Sequence, residues 1–240
     1  MVSTYIVGAK GRMGQLVCGA VEEDAELELV GCFDADDIES LDTEAPGADL
    51  VIDFSRPAAL PHVVAFCKRT GAALVSGTTG MSEADFEALV DLGKHVPVVW
   101  ASNFSLGVAV LRRATAVVAR ELGDFDCEIV EVHHTKKVDS PSGTALELLS
   151  AVDPKGESEV VYGRQGMVGE RKKREIGMHA LRGGTVAGTH EVHFYGQDEE
   201  LCLTHRANSR MIFVVGAVAC AKRLVKRGPG RYTFDDLMFG

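Results

Sequence analysis

Along the first hundred residues, short β-branched apolar runs alternate with stretches whose apolar positions recur at helical spacing. Residues 5–7, 27–33, 49–54, 73–76 and 96–100 read as strands, and 13–22, 58–69 and 82–92 as helices. Strands regularly separated by helices predict a parallel sheet covered on both faces and wound right-handed. One interval breaks the rhythm: residues 35–48 are acidic and carry Pro46, too polar to pack a full crossover helix. A long amphipathic helix over 103–122 closes the series.

Past residue 122 the period changes. Residues 128–132, 184–194 and 200–205 alternate apolar and polar positions, as half-buried antiparallel strands do. Between them, 156–177 is rich in glycine and basic residues and reads as a long loop. A last helix over 210–227 carries an apolar run suited to packing back on the first region. The pattern predicts an α/β protein with two parts. A Rossmann-like, doubly wound parallel sheet takes residues 1–104 and 214–240, and a smaller α+β domain with an open mixed sheet takes 105–213.

Composition narrows the class. With 240 residues, 46% hydrophobic, 25% charged and 6% aromatic, the chain is neither fibrous, collagen-like nor disordered. Its net charge of −10 argues against nucleic acid or an anionic membrane as partner, because both need a basic footprint. No apolar run approaches the ~20 residues that span a bilayer, and no basic-then-apolar leader precedes the first strand, so the expected location is cytoplasmic. Six cysteines without a C-x-x-C pair read as buried thiols. The acidity is local. Residues 21–49 hold twelve Asp or Glu and no Lys or Arg, a solvated outer face in which only Asp34 is assigned a task.

That task belongs to a dinucleotide. Gly8, Ala9, Lys10, Gly11, Arg12, Met13 and Gly14 follow a strand and open a helix, the context of a phosphate-binding turn. The three glycines suit a tight turn, close approach of a pyrophosphate and close helix packing, although Lys10 stands where the usual G-x-G-x-x-G has glycine. Asp34, 20 residues beyond Gly14 at the end of the second strand, can accept from a ribose. The next residue is Ala35, with no arginine for a 2′-phosphate, so NADH is expected to serve at least as well as NADPH; Lys10 leaves both open. Gly77, Thr78 and Thr79, and Ala101, Ser102, Asn103 and Phe104, fall at carboxyl ends of strands, where open α/β sheets bind ligands.

The densest chemistry lies between Glu131 and Thr144, where a strand leads into a helix. Thr144 and Glu147 have capping-box spacing, so the helix is expected to begin there. Ser142, Gly143 and Thr144 then offer amides and hydroxyls to a carboxylate at a positive helix end. His133, His134, Lys136 and Lys137 converge on the same spot, and clustered cations depress one another's pKa, which suits a histidine general acid near neutral pH. A metal is the other use of histidines. His190-Glu191-Val192-His193 falls one residue short of H-E-x-x-H and lies in a period-two run, where residues three apart face opposite sides of a sheet, so no metal site is expected.

Over nearly its whole length the sequence resembles the dihydrodipicolinate reductase (4-hydroxy-tetrahydrodipicolinate reductase) family. The resemblance runs through the glycine loop, Asp53-Phe54-Ser55, Gly77-Thr-Thr-Gly80 and Asn103-Phe104. It continues in His133-His134 with Lys137-Val-Asp-Ser-Pro-Ser-Gly-Thr144, in Arg182-Gly-Gly through His190, and in Arg206-Ala-Asn-Ser-Arg210. It implies NAD(P)H-dependent reduction of a small cyclic dicarboxylate in diaminopimelate and lysine biosynthesis. It also implies His133 as general acid, Lys137 as second proton donor or charge partner, and His134 as a substrate contact. Ser142, Gly143 and Thr144 would hold a substrate carboxylate, and the assembly would be a homotetramer built through the second domain. Two other readings stay open: a dehydrogenase of another, aspartate-type amino-dicarboxylate, and a non-catalytic NADH-binding sensor.

Overall fold

The computed structural model describes residues 1–240. The first half of the chain runs β1 (Val2–Val7), α1 (Arg12–Glu22), β2 (Leu27–Phe33), α2 (Ile38–Thr43), β3 (Leu50–Asp53), a 3-10 turn at Pro57–Ala59 leading into α3 (Leu60–Thr70), β4 (Ala73–Ser76), α4 (Glu83–Leu92), β5 (Pro97–Trp100) and α5 (Leu106–Glu121). There follow β6 (Asp126–His133), α6 (Gly143–Val152), β7 (Glu159–Val161), β8 (Glu175–Arg182), β9 (Gly188–Tyr195), β10 (Glu200–Ala207), α7 (Met211–Leu224), β11 (Gly230–Tyr232) and α8 (Phe234–Phe239). The chain divides into two compact units, residues 1–106 with 211–240, and residues 107–210.

Unit 1 is built on a six-stranded, all-parallel sheet in the order β11-β5-β4-β3-β1-β2. Every residue of β3 and β4 is buried, as expected of apolar runs covered on both faces. On one face Leu60, Val63 and Phe66 of α3 fill the core, with Phe66 set edge-on to Tyr5 of β1 at 5.5 Å. Gly71, in the left-handed region at φ 82°, ends α3. Ser82 and Asp85 form a reciprocal capping box at the start of α4. The acidic interval 35–48 does yield a helix, but one of only six residues: Ile38 and Leu41 of α2 are buried against α3, Asp42 meets His62 of α3 at 3.2 Å, and Glu39 and Thr43 face outward.

Residues 211–240 return to complete this unit. Helix α7 packs on α1, β3, β4 and β5, burying Val214, Ala217, Cys220, Ala221 and Leu224. The chain then adds β11 beside β5, an edge strand too short to register as a periodic pattern.

Unit 2 carries a five-stranded mixed sheet in the order β10-β9-β6-β8-β7. Strand β6 is antiparallel to β9 but parallel to β8, so it is not the purely antiparallel element its alternation suggested. One face buries Cys127, Ile129, Met178, Val192 and Phe194 with Leu111 of α5 and Ala145 and Leu148 of α6. The other face has no helix on it and presents Glu128, Glu191, His193, Cys202 and Thr204.

Three expectations change. The strand read over 184–194 begins only at Gly188, after a turn. The stretch 156–177 is not one loop, since β7 and the start of β8 fall inside it and two arginines tie the remainder down. Arg164 reaches Glu128 at 2.9 Å and Glu175 at 2.5 Å, and Arg171 reaches Asp126 at 2.5 Å and Glu128 at 3.3 Å. Of the cysteines, Cys67, Cys127 and Cys220 are buried, but Cys18 is half-buried, and Cys32 and Cys202 are exposed. Cys18 on α1 and Cys32 on β2 bring their sulfurs to 3.6 Å. No helix is long and apolar enough to cross a membrane.

Candidate active site

In unit 1 the turn after β1 is shaped by two positions that accept only glycine. Gly8 sits at φ 82°, and a Cβ there would meet the Phe54 carbonyl oxygen at 2.6 Å; at Gly14 a Cβ would meet the Gly8 oxygen at 2.1 Å. Helix α1 therefore starts hard against the strand. Its N-cap, Gly11, supplies no side-chain acceptor, so the first-turn amides are left for a ligand anion. Asp34, just past β2, accepts from the Lys10 amide at 2.7 Å, which fixes the carboxylate beside the loop. The Lys10 ammonium is held by Asp36 at 2.6 Å, two residues further on. A dinucleotide fits this set: an open helix N-terminus for phosphates and an adjacent carboxylate for a ribose.

Thr78 and Phe104, expected as ligand contacts, turn their side chains inward. Thr78 is buried, and its hydroxyl donates to Asp53 at 2.9 Å while accepting from the Ser55 amide at 3.0 Å. Phe104 packs edge-on against Phe54 and Phe234. These two can present only backbone. Asp53 organises the region and had no assigned part: Ser55, Ser76 and Thr78 all donate to it. Burial drives its carboxyl above the usual range despite those bonds.

In unit 2 the strand alternation of β6 aims Glu131 and His133 to the helix-covered side. Glu131 is fully buried and binds His133 Nδ1, both guanidinium nitrogens of Arg182 at 2.9 and 3.0 Å, and the Ser142 amide at 3.1 Å. Burial works to raise the Glu131 carboxyl, but Arg182 and His133 outweigh it and hold it below the usual range. An ionised Glu131 must accept, so the Nδ1 proton stays on His133 and Nε2 is the nitrogen left for chemistry. Burial lowers the His133 pKa, Glu131 pulls it back up, and Lys137 contributes only a smaller depression. The clustering of cations is thus a minor cause.

Lys137 is bound to Asp139 at 2.8 Å. The amide of His134 donates to Val186, and its own Nδ1 is buried without a partner. Ser142 departs from expectation. It is the N-cap of α6, two residues before the Thr144 start inferred from spacing, and its hydroxyl accepts from Ala145 N at 3.2 Å and meets His190 Nε2 at 3.0 Å. With its amide on Glu131, Ser142 builds the helix end and has little left for a ligand. Gly143 has open space where a Cβ would stand, so the approach to the α6 amides is clear. His190, its ring 5.1 Å from that of His133, is buried and pushed down to about 4. Its cause is burial first, then the neighbouring imidazole.

Glu131, Arg182 and His190 had no role in the sequence reading. Glu131 could have been found, since it lies two residues before His133 on an alternating strand. Arg182 could not: it reaches the site through the parallel register that sets it opposite His133.

Comparison with known proteins shows the family and the fold. The dihydrodipicolinate reductase N-terminal family model matches residues 2–104, and the C-terminal model matches 107–238. A 4-hydroxy-tetrahydrodipicolinate reductase from Akkermansia muciniphila is 42% identical, covering 99% of this chain and 98% of its own. The same-named protein of Methanopyrus kandleri is 41% identical, covering 100% and 98%. Among solved structures, a dipicolinate-bound dihydrodipicolinate reductase from a Paenisporosarcina species superposes with a TM-score of 0.78 at 20% identity, covering 100% of both chains. A scyllo-inositol dehydrogenase from Lactobacillus casei with bound NAD(H) shares the fold at a TM-score of 0.58 and 12% identity, over 94% of this chain and 88% of that one.

Proposed function

The chain belongs to the dihydrodipicolinate reductase family, and from that premise we propose that it reduces 4-hydroxy-tetrahydrodipicolinate, by way of dihydrodipicolinate, to tetrahydrodipicolinate in diaminopimelate and lysine biosynthesis. The observation that carries the reading is the buried Glu131 carboxylate, which holds His133 by Nδ1 and is itself neutralised by Arg182. This arrangement fixes the tautomer with the proton on Nδ1 and favours the charged form against the pull of burial, so that a second proton taken up on Nε2 can be given up there.

The open amides of α1 and Asp34 in unit 1 would hold NADH or NADPH, which would supply the hydride. In unit 2, one substrate carboxylate binds the α6 amides at Gly143 and Thr144, and Lys137, kept in place by Asp139, meets the other. His134 adds a contact from the same loop. As the ring double bond accepts the hydride, His133 Nε2 delivers the proton that completes the reduction. Glu131 stabilises the imidazolium beforehand and holds the ring still as the proton leaves.

The reading extends to a cytoplasmic homotetramer assembled through unit 2, and what supports it is the sheet face that bears no helix of its own. One paired assay tests the activity: oxidation of NADH and of NADPH with the cyclic substrate and with linear keto acids. Turnover is expected with the cyclic compound and either cofactor. Turnover with linear keto acids alone, or with nothing, overturns the reading.

A further inference from the structure

The turn that leads into β9 is fastened to the loop that follows His133. Gly183 N donates to the His133 carbonyl at 2.9 Å, His134 N to that of Val186 at 2.9 Å, and Thr135 N to that of Gly184 at 3.3 Å. Along the strands, Thr189 stands opposite Val132 and His190 opposite Glu131. Gly188, buried at the first position of β9, is therefore held beside His133 from both directions. A Cβ on Gly188 would meet His133 Nε2 at 3.1 Å, its Cδ2 at 3.5 Å and His190 Cε1 at 3.7 Å. It would enter the angle between two imidazoles whose ring centres lie 5.1 Å apart with their planes at 73°. Gly183 and Gly184, in the same turn, have open space where a Cβ would stand.

We propose that Gly188 is a positioning residue for the proton donor: the His133 ring keeps Nδ1 on Glu131 and Nε2 in its present place because residue 188 has no side chain. The inference rests on His133 being the general acid of the proposed reduction. The first atom a side chain would meet is Nε2, the nitrogen that delivers the proton, and the ring would have to give by a few tenths of an ångström. Neither imidazole is free to do so. His133 Nδ1 is bound to Glu131, which Arg182 and the Ser142 amide hold in turn. His190 Nε2 meets the Ser142 hydroxyl at 3.0 Å, so a shift of that ring would disturb the N-cap of α6.

Displacement would also change the chemistry of the ring. Glu131 is the neighbour that favours the imidazolium, whereas burial, Lys137 of the following loop and Arg182 of β8 oppose it, and burial holds His190 neutral. A ring pushed off Glu131 is a weaker base as well as a misplaced donor. Glycine inside a strand marks the close approach of another group, and here that group is the imidazole of the neighbouring strand. The φ of 157° at Gly188 also favours glycine, so the backbone and the ring make separate demands on this position.

Two measurements on the full chain, neither needing substrate, test the seat. In ¹⁵N-histidine-labelled protein the His133 signal, identified by its loss in His133→Gln, should titrate with a pKa lower by about 0.5 or more in Gly188→Ala. In thermal unfolding, Gly188→Ala should lower Tm more in the parent than in a His133→Ala background, because backbone strain is common to both and the ring contact is not. Should Gly188→Ala fail to fold in the parent, folding regained on adding His133→Ala supports the contact. With the cyclic substrate and NADH, Gly188→Ala should lower kcat about tenfold or more while both KM values stay within about threefold. An unmoved His133 pKa, an equal loss of Tm in the two backgrounds, failure to fold in both, or an unchanged kcat overturns the proposal. A parent that shows no turnover counts against the reduction and not against the seat, since the first two readouts are taken without substrate.

Discussion

Glu131 accepts the Nδ1 proton of His133 while Arg182 grips the same carboxylate through two hydrogen bonds of 2.9 and 3.0 Å. The histidine is therefore raised by one charge that is itself restrained by another. Replacing Glu131 by Gln keeps the shape and removes the charge that favours the imidazolium. The His133 pKa, already held down by burial, falls further. The alkaline limb of kcat/KM, where the acid form is lost, is expected to move to lower pH, with a loss of about 10²-fold at pH 7. A pH-rate profile checks this; an unmoved limb would show that Glu131 only shapes the site.

His133→Gln and Lys137→Ala remove the proposed proton donor and a substrate charge partner. Each should cut turnover by orders of magnitude, about 10²–10⁴-fold for the acid. Both residues sit at a strand end or in a loop, so thermal unfolding should stay close to that of the parent. Near-normal rates in both variants would sink the assignment.

Under the proposed function Lys10, whose ammonium is occupied by Asp36, has a part in cofactor choice. Asp36→Asn frees that charge beside Asp34, where a 2′-phosphate would lie. Because the pair is exposed, the change is modest: a KM for NADPH lowered roughly two- to fivefold, with that for NADH little altered. Steady-state kinetics with both cofactors read it, and a change shared equally by the two would point elsewhere.

His190 couples stability to pH. Its folded-state pKa of about 4 lies below the ordinary 6.5, so the unfolded chain takes up a proton first as pH falls. The stability that buried neutral His190 supports is complete above pH 6.5 and is lost between there and pH 4, at most about 3 kcal/mol. His133 and His205 are depressed in the same direction. Urea unfolding at pH 7 and pH 4.5 should show a smaller difference for His190→Gln than for the parent, and an equal difference counts against the assignment.

Glu128 fastens the 162–174 segment. Burial raises its carboxyl, but Arg164, His179 and Arg171 overcome this and hold it at about 2. Glu128→Ala should loosen both arginines, leaving Arg164 on Glu175 and Arg171 on Asp126, and make the segment the first site of tryptic cleavage, detected by mass spectrometry. Cleavage elsewhere first would show that the other anchors suffice.

Much of the fold can be read from the chain because the central strands β3 and β4 of unit 1 are buried on both faces and so appear as unbroken apolar runs. β7 and β11, three residues each, are too short to show any period. The spacing points to 144 because Thr144 and Glu147 form the capping-box pair that Ser142 and Ala145 lack, and only geometry shows Ser142 Oγ accepting from Ala145 N as the N-cap of α6. In the site, residues contiguous in sequence were legible and those joined by sheet register were not. Glu131 and Arg182, 51 residues apart, meet because β6 and β8 are parallel neighbours. The inward turn of Thr78 follows from Asp53, a buried carboxylate that needs three donors and takes them from the nearest hydroxyls.

The return of α7 to unit 1 sets an order of events at the ribosome. The wall formed by Val214, Ala217, Cys220, Ala221 and Leu224 is translated only after all of unit 2. At about 5–20 residues per second, the sheet strands up to β5 wait roughly 5–20 s for the helix that covers them. During that interval a nascent chain exposes an apolar sheet face, the kind of surface that chaperones bind. A stop codon at position 211 would therefore not trim a tail; it would leave the first-made half of the protein without its last wall, and unit 2, already complete, would be attached to an unfinished nucleotide fold.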